Sequence, residues 1–296
     1  MATVHGSQFT ISAATPITAF HTTGAGAIYT TGSSSGASGG LAVLSPSGHE
    51  LDLVYGAFAA TDNGSGDTLT AYGSNETITG SASGTTLNLV GNNDTAMGGG
   101  GPDTISVSGD FDWVYGGSGN SVIDVTGVYD TVTAGSGNDH INVTTSFDSV
   151  NGGSGNDTID VAGYADTISA GSGATELVNV TGAFDLVNLG TGADSATVTG
   201  AFDTVSSGLA SGANQGLINL SGTAMTLSDG PNKYADTVVG FDHAAGDTIH
   251  LTTDTVANAV ANSAQVNSGA DTLVTLSDGS TILLKGVTHI DSTFFS

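Results

Sequence analysis

Acidic residues recur at every ninth position through the middle of this chain, with Thr85 and Ser121 as the two exceptions, and they offer its clearest chemistry. The column starts at Asp67 and, after one inserted residue beyond Asp166, continues to Asp203. Several of these acids end a glycine-rich tract. Glycine permits tight turns that expose carbonyl oxygens, and Ca²⁺ prefers six to eight oxygen ligands, carboxylates among them. A single Gly-Asn-Asp tract would indicate only a turn, but its repetition favours a row of cation sites.

Short strands must position these acids. Two residues after each repeat position lies a small or apolar side chain, such as Ile105, Ile123 or Ile159, and polar residues alternate with the apolar ones. This period of two predicts strands. Glycine-rich turns alternate with a second kind of turn, so one structural coil comprises two successive repeats. A fixed short period is typical of a solenoid. We therefore predict an all-β, right-handed parallel β-roll or β-helix solenoid.

The glycine-rich turns form what we call the first edge. They resemble the nonapeptide GGxGxDxUx of RTX (repeats-in-toxin) proteins, strongly at residues 98–103, 134–139 and 152–157, and in part at residues 62–67 and 189–194. The match fails at Ser121, where the acid is missing, and at residues 174–176, where an insertion displaces it. The resemblance implies a calcium-loaded β-roll with several Ca²⁺ ions shared by successive turns, and a best-formed site between the turns that end in Asp139 and Asp157.

The predicted metal-binding residues of the first edge combine glycines with repeat-position acids. They are Asp67, Gly99, Gly101, Asp103, Gly116, Gly117, Gly119, Gly135, Gly137, Asp139, Gly152, Gly153, Gly155, Asp157, Gly171, Gly173 and Asp194.

The second edge departs from the RTX pattern. Its acids are Asp94, Asp112, Asp130, Asp148, Asp166, Asp185 and Asp203. Such stacked carboxylates repel one another unless they are compensated, so either this edge binds metal through a variant loop or each Asp caps its own turn. The residue before the acid is usually aromatic, as at Phe111, Tyr129, Phe147, Phe184 and Phe202. We expect these rings to form a ladder that packs the turn; the alternative is a carbohydrate-binding stripe.

Composition restricts the partners. The chain has 28 acidic residues against two lysines, with a net charge of −26. This field excludes nucleic acid and anionic membrane as direct partners, and it makes divalent cations an expected part of the fold. The chain has no Cys, so no disulfide framework forms. No apolar run is long enough to span a bilayer, and the segment 1–30 shows no signal-peptide pattern.

The C-terminal part supplies an expected export signal. Residues 235–251 look like the segment that closes the β-roll in type I secreted proteins, residues 271–287 are similar to the strand-turn-strand that follows it, and residues 291–296 resemble their uncleaved tail. The resemblance implies export by a type I secretion apparatus to the exterior or the cell surface; an ordinary capping hairpin is compatible with the same residues. We divide the chain into a β-rich cap or assembly segment (1–60), the roll (61–208) and the closing region (209–296).

Catalysis is not expected. The seven histidines are scattered without an HExxH motif, and there is no GxSxG sequence. We predict a calcium-binding structural protein of the bacterial exterior, a matrix, filament or surface-layer component that self-associates. The alternative is a calcium-stabilised glycan- or ice-binding module with an extracellular polysaccharide as partner, although Trp113 and His140 interrupt the threonine column that ice binding would need. A small secreted enzyme with its site in residues 1–60 is the least favoured reading.

Overall fold

The computed structural model describes residues 64–207, 216–229 and 234–296 in full, together with the seven strands that lie between residues 2 and 62. Side chains are described from residue 59 onward, except at residues 63, 208–215 and 230–233. The chain divides into two compact units, Met1–Ser149 (unit 1) and Val150–Ser296 (unit 2). Each unit is described by itself below.

Unit 1 is a stack of short strands that alternate between two parallel sheets. In chain order they are β1 (Ala2–Val4), β2 (Gln8–Ser12), β3 (Phe20–Thr22), β4 (Ala27–Thr31), β5 (Ser38–Leu44), β6 (Glu50–Val54), β7 (Ala57–Asp62), β8 (Asp67–Ser74), β9 (Thr77–Thr79), β10 (Thr85–Asn92), β11 (Thr95–Met97), β12 (Thr104–Ser108), β13 (Trp113–Gly117), β14 (Val122–Thr126), β15 (Thr131–Ser136) and β16 (His140–Val143). The odd-numbered strands form sheet A and the even-numbered strands form sheet B. Strands β1–β7 therefore continue the same two sheets as the repeats.

Unit 2 repeats this plan and then closes it. Its strands are β17 (Ser149–Ser154, beginning at the last residue of unit 1), β18 (Thr158–Tyr164), β19 (Thr167–Ser169), β20 (Leu177–Ala183), β21 (Leu186–Asn188), β22 (Ser195–Ala201), β23 (Thr204–Ser206), β24 (Leu217–Thr223), β25 (Thr226–Ser228), β26 (Ala235–Val239), β27 (Thr248–His250), β28 (Ser263–Val266), β29 (Asp271–Thr275) and β30 (Thr281–Leu284). Sheet A takes β17, β19, β21, β23, β25 and β27; sheet B runs β18, β20, β22, β24, β26, β30, β29, β28.

The core is a set of apolar columns between the two sheets. Ile105 pairs with Ile123 and Ile123 with Ile141, each one coil further along the chain, and all three side chains are fully buried. Because alternate residues of a strand point to opposite faces, the repeat position and the residue two places later both point inward. The insertion near residue 175 lies in a turn, so Ile159 still pairs in register with Val178. The predicted parallel solenoid, with two repeats in each coil, is confirmed in each unit.

Antiparallel strands close unit 2. Strand β26 pairs in parallel with β30, and β29 and β28 then add antiparallel, where the strand-turn-strand was expected. The Lys285 ammonium binds Asp271 at 2.6 Å. One α-helix, α1 (Val256–Ala261), and three 3₁₀ turns (His243–Ala245, Asn267–Gly269, Ser292–Phe294) complete the region. Within the described residues, no helix has the length and apolar character needed to cross a membrane. The domain boundaries inferred from sequence stay a prediction.

Candidate calcium turns and carboxylate ladders

The repeat-position acids lie inside the solenoid at the start of each strand. The repeat-position acids between Asp67 and Asp203 are at most 3% exposed. Their burial follows from the strand alternation, because the repeat position shares its inward direction with the apolar residue two places later. Between Asp67 and Asp203, every coil thus buries one carboxylate at each edge, apart from the two coils with Thr85 or Ser121.

The second-edge carboxylates form a hydrogen-bond ladder from coil to coil. In each step the backbone N–H of one repeat-position residue donates to Oδ1 of the Asp one coil later. In unit 1 the steps are Glu76 to Asp94, Asp94 to Asp112, Asp112 to Asp130 and Asp130 to Asp148, all at 2.8 Å. In unit 2 they are Asp166 to Asp185 and Asp185 to Asp203, both at 2.9 Å. Each Asp therefore caps the turn of the preceding coil, whereas one of the two alternatives left open by the sequence placed the cap within its own turn.

The first edge uses the same ladder. Thr85 donates its N–H to Asp103 at 2.7 Å, and Ser121 donates to Asp139 at 2.6 Å. Glu176 donates to Asp194 at 3.0 Å in unit 2. At the exception Ser121, the hydroxyl accepts from the Asp103 N–H at 3.4 Å, which is long for such a bond. Ser121 therefore removes one charge from the column but keeps the ladder in place.

The second oxygen of these carboxylates is the unsatisfied part of the ladder. Oδ2 is buried without a hydrogen-bond partner in Asp94, Asp103, Asp112, Asp130, Asp185 and Asp203. Burial raises the pKa of Asp103 to about 6 and the pKa of Asp112 and Asp130 to about 7, against the opposing effect of the backbone N–H bond. Burying an uncompensated charged oxygen is costly, so the ladder favours either a proton or a cation at this oxygen.

Two glutamates change the ladder locally. Glu76 of the second edge lies next to Asp94, and Glu176 of the first edge lies next to Asp194. Burial, followed by the neighbouring Asp, raises the pKa of each glutamate to about 8. Two ionised carboxylates only accept hydrogen bonds, so each pair is bonded only when one member carries a proton. The RTX motif match fails at residues 174–176, yet Glu176 occupies the repeat position that the nine-residue count assigns to it, because β20 starts directly after it. The nine-residue count is the signal that locates it.

The first-edge turns fit a calcium ion. A Cβ on Gly98 would lie 2.5 Å from Asp103 Oδ2, and one on Gly152 would lie 2.8 Å from Asp157 Oδ2, so each carboxylate lies against bare glycine backbone. Gly117 and Gly135 stack with φ of 106° and 109°, a conformation that favours glycine. Within the fully described ranges no three acidic or histidine side chains converge as metal ligands. A calcium ion would therefore add glycine carbonyl oxygens to the carboxylates, as hard-cation chemistry allows.

The predicted metal residues fall in both units. Unit 1 holds those from Asp67 to Asp139, and unit 2 holds those from Gly152 to Asp194. Turn carbonyls already accept hydrogen bonds from the next turn: Gly99 O accepts from Ser118 N at 3.0 Å, and Gly153 O accepts from Ser172 N at 2.8 Å. Each carbonyl keeps a second lone pair for a ligand. The best site was predicted between Asp139 and Asp157, which belong to different units, and it stays a prediction.

The aromatic ladder on the second edge is confirmed within each unit. Phe111, Tyr129 and Phe147 stack with ring centroids 5.2 and 5.0 Å apart, and Phe184 stacks on Phe202 at 4.9 Å. All five residues have φ between 62° and 66°, which costs about 1–2 kcal/mol for a residue with a side chain. The ring faces cover one another, so mainly their edges meet solvent. This geometry favours packing of the turn over a sugar-binding stripe.

A third ladder on the outer face of sheet B was not foreseen. The amide of Asn142 donates to Asp124 Oδ1 at 3.2 Å, and the amide of Asn179 donates to Asp160 Oδ1 at 2.7 Å. Both pairs occupy the middle outward position of neighbouring strands. The recurrence of Asn and Asp at the spacing of one coil would have located them in the sequence.

One comparison with known proteins, the match to a family of repeats, agrees with the turn chemistry. Residues 90–123, 133–168 and 151–174 match the family described as RTX calcium-binding nonapeptide repeat (4 copies). None of the curated proteins is significantly similar to the chain. Among solved structures, the extracellular lipase LipA from Serratia marcescens is similar at 14% identity with a TM-score of 0.31, over 72% of this chain and 44% of the lipase. The chain thus spans less than half of that lipase.

RTX repeats are known to bind calcium, and proteins that carry them are typically secreted. The family match coincides with the glycine turns at residues 98–101, 135–137 and 152–155. In the first and the last of these turns, a buried carboxylate lies against bare glycine backbone. Sequence motif and turn geometry therefore agree, and they identify the chain as an RTX-type repeat protein.

Proposed function

We propose that the chain is a non-catalytic structural protein of the bacterial exterior, a matrix, filament or surface-layer component that folds and assembles with calcium. One observation carries the proposal: the solenoid buries carboxylates in successive coils, and Asp103 of the first edge keeps an oxygen without a hydrogen-bond partner beside the bare backbone of Gly98. A chain of net charge −26 with buried acids needs counter-ions to fold stably. Folding is thereby tied to a calcium-rich exterior.

Calcium neutralises these carboxylates when it is bound. Asp103, Asp139, Asp157, Glu176 and Asp194 would supply the carboxylate oxygens, and the glycine turns before them would supply carbonyls. Extracellular calcium modules bind at about 10⁻⁴–10⁻³ M, which suits the millimolar exterior. At pH 8, where the buried carboxylates are ionised, circular dichroism of the metal-free protein should show coil that converts to strand on adding calcium. A full strand spectrum without divalent ions at pH 8 would reject this role.

Assembly is proposed to use the exposed edge of sheet B in unit 2. Strand β28 is the outermost strand of that sheet in the described residues, and it has no charged residue. Uncharged edge strands are prone to pair with another chain. Calcium would also screen the repulsion between copies. Light scattering and electron microscopy at millimolar calcium should reveal filaments or sheets.

A matched pair of variants locates this contact. Ala264→Lys places a charge on β28, whereas Ala257→Lys makes the same change on the exposed face of α1. Only Ala264→Lys should reduce the particle mass. A wild-type protein that stays monomeric at every concentration rejects assembly, and equal effects of the two variants reject β28 as the contact.

Export is proposed to depend on residues 235–296 and a type I secretion apparatus. Support comes from the resemblance of this region to the closing segment and tail of type I secreted proteins. Deletion of these residues should keep the protein inside the cell, measured by immunoblot of cells and medium. Secretion of the truncated protein at the normal level would reject a signal in this region.

A further inference from the structure

We propose that the outer face of sheet A in unit 1 binds an uncharged polysaccharide, with Trp113 and Tyr115 at the centre of the site. The outward residues of β9, β11, β13 and β15 that form this face are Thr77, Thr79, Thr95, Met97, Trp113, Tyr115, Thr131 and Thr133. None of these eight residues is charged, in a chain that carries 28 acids. A charge-free face on such an acidic chain selects for an uncharged ligand.

Trp113 and Tyr115 interrupt a threonine array. Trp113 pairs with Thr95 on one side and Thr131 on the other, while Tyr115 pairs with Met97 and Thr133. Trp113 is 51% exposed and Tyr115 is 37% exposed, although the neighbouring coils have smaller residues at the same positions. Large exposed aromatic residues at regular sheet positions are typical of binding sites. Neither ring is needed to fill the core, since Val114 between them does so.

The two rings lie two residues apart on β13. Their centroids are 6.4 Å apart and their planes differ by 28°, a looser arrangement than the 4.9 to 5.2 Å stacking of the second-edge rings. The apolar C–H face of a sugar ring packs on an aromatic ring, and the sugar hydroxyls need donors and acceptors beside it. The hydroxyls of Thr95, Thr131 and Thr133 lie one strand away and can both donate and accept. A few polar groups around an apolar centre are typical of a small-ligand site.

The size of the face favours a sugar chain over a protein. Four strands about 4.8 Å apart, with two outward residues in each, cover roughly 15 Å by 7 Å. A stable protein interface needs about 800 Å² on each partner, which is several times this area. The high net charge disfavours anionic polysaccharides. The site is separate from the stacked second-edge rings, whose faces are already covered, and it does not depend on the proposed assembly.

The chain offers a specific probe, because Trp113 is its only tryptophan. The calcium-folded full-length protein is titrated with three neutral hexasaccharides (cellohexaose, maltohexaose and N-acetylated chitohexaose) and with anionic hexaguluronate. Binding is followed by Trp113 emission and by calorimetry. At least one neutral sugar should bind saturably at millimolar concentration or tighter and shift the emission. The absence of binding by all three, or binding of hexaguluronate alone, overturns the proposal.

Variants that copy the neighbouring coils preserve the fold. Trp113→Thr and Tyr115→Thr introduce the residue found at Thr95, Thr131 or Thr133, and each should weaken the calorimetric affinity about tenfold or more. The control Phe202→Ala removes an exposed ring of unit 2 and should leave the affinity unchanged. An equal loss of sugar affinity in all three variants overturns the site. The proposal is also overturned if Trp113→Thr loses self-association but keeps full sugar affinity, because the face would then contact a second copy of the chain.

Discussion

The backbone N–H of Asp112 donates to Oδ1 of Asp130, one coil further along the chain, at 2.8 Å. The two residues have the same place in successive coils, so the bond joins coil to coil and not neighbours in sequence. The same column also brings buried carboxylates close to one another, and Asp112 adds to the raised pKa of Asp130. The same Asp side chains thus stabilise the stack of coils through hydrogen bonds and destabilise it when their buried carboxylates are charged.

The acceptor role of Asp130 can be separated from its charge. Asp130→Ala leaves the Asp112 N–H without its partner and should lower the free energy of unfolding by about 1–3 kcal/mol. Asp130→Asn keeps an acceptor oxygen and should cost less. Urea unfolding of the calcium-folded protein, followed by Trp113 emission, measures both. The control Asp124→Ala removes a half-buried carboxylate that accepts the Asn142 amide on the outer face of sheet B, and it should cost about 1 kcal/mol or less; a loss at Asp124 equal to that at Asp130 would contradict the ladder.

Calcium-dependent folding should depend on the first-edge carboxylates more than on the second-edge carboxylates. Asp103→Asn removes a buried carboxylate that lies against Gly98, and we expect it to raise the calcium concentration needed for folding by several fold, because a carboxylate ligand is lost. Asp112→Asn removes an equally buried carboxylate from a turn without a glycine tract and should not raise that midpoint. Calcium titrations monitored by circular dichroism compare the two. An equal shift in Asp112→Asn would show that the second edge also takes metal.

Acid should stabilise the calcium-free fold. The pKa of Asp112 and of Asp130 is raised to about 7 in the folded chain, above the ordinary value of about 4. Stabilisation from the protonated form is therefore complete below pH 4 and lost as pH rises through 7. The Tm in metal-free buffer should fall between pH 5 and pH 8, and the double variant Asp112→Asn, Asp130→Asn should flatten that slope. A Tm that rises over this range would refute the assignment.

The aromatic ladder should gain stability from ring stacking and lose part of it to backbone strain at positive φ. Tyr129→Ala loses two stacked contacts, each worth about 0.5–1.5 kcal/mol, and keeps the unfavourable positive φ of 65°. Tyr129→Asn also loses the contacts but suits this conformation, as Asn75 and Asn93 do in the first coils. The Tm should therefore be highest for the wild type, lower for Tyr129→Asn and lowest for Tyr129→Ala. If Asn and Ala are equally stable, the backbone strain is not a measurable cost.

For Glu176, the nine-residue period predicts the position in the coil but not the contact that the side chain makes. The nine-residue period placed this residue correctly after the insertion, because strand alternation depends only on local spacing. Its contact with Asp194 of the next coil could not be derived from that spacing. A carboxylate at a turn can approach its own glycines, the preceding turn or the following turn, and only the three-dimensional stack selects one.

The sequence by itself determined the parallel solenoid, its period and its buried columns, since Ile105, Ile123 and Ile141 repeat at the length of one coil. It also located the glycine turns. The tertiary structure decided that Asp130 caps the preceding coil and that the rings of Phe111 and Tyr129 cover each other. It also brought Trp113 and Thr131 together on a face without charge. Such relations depend on the stacking of coils, which places residues one coil apart within a single strand spacing, a distance that no local pattern encodes.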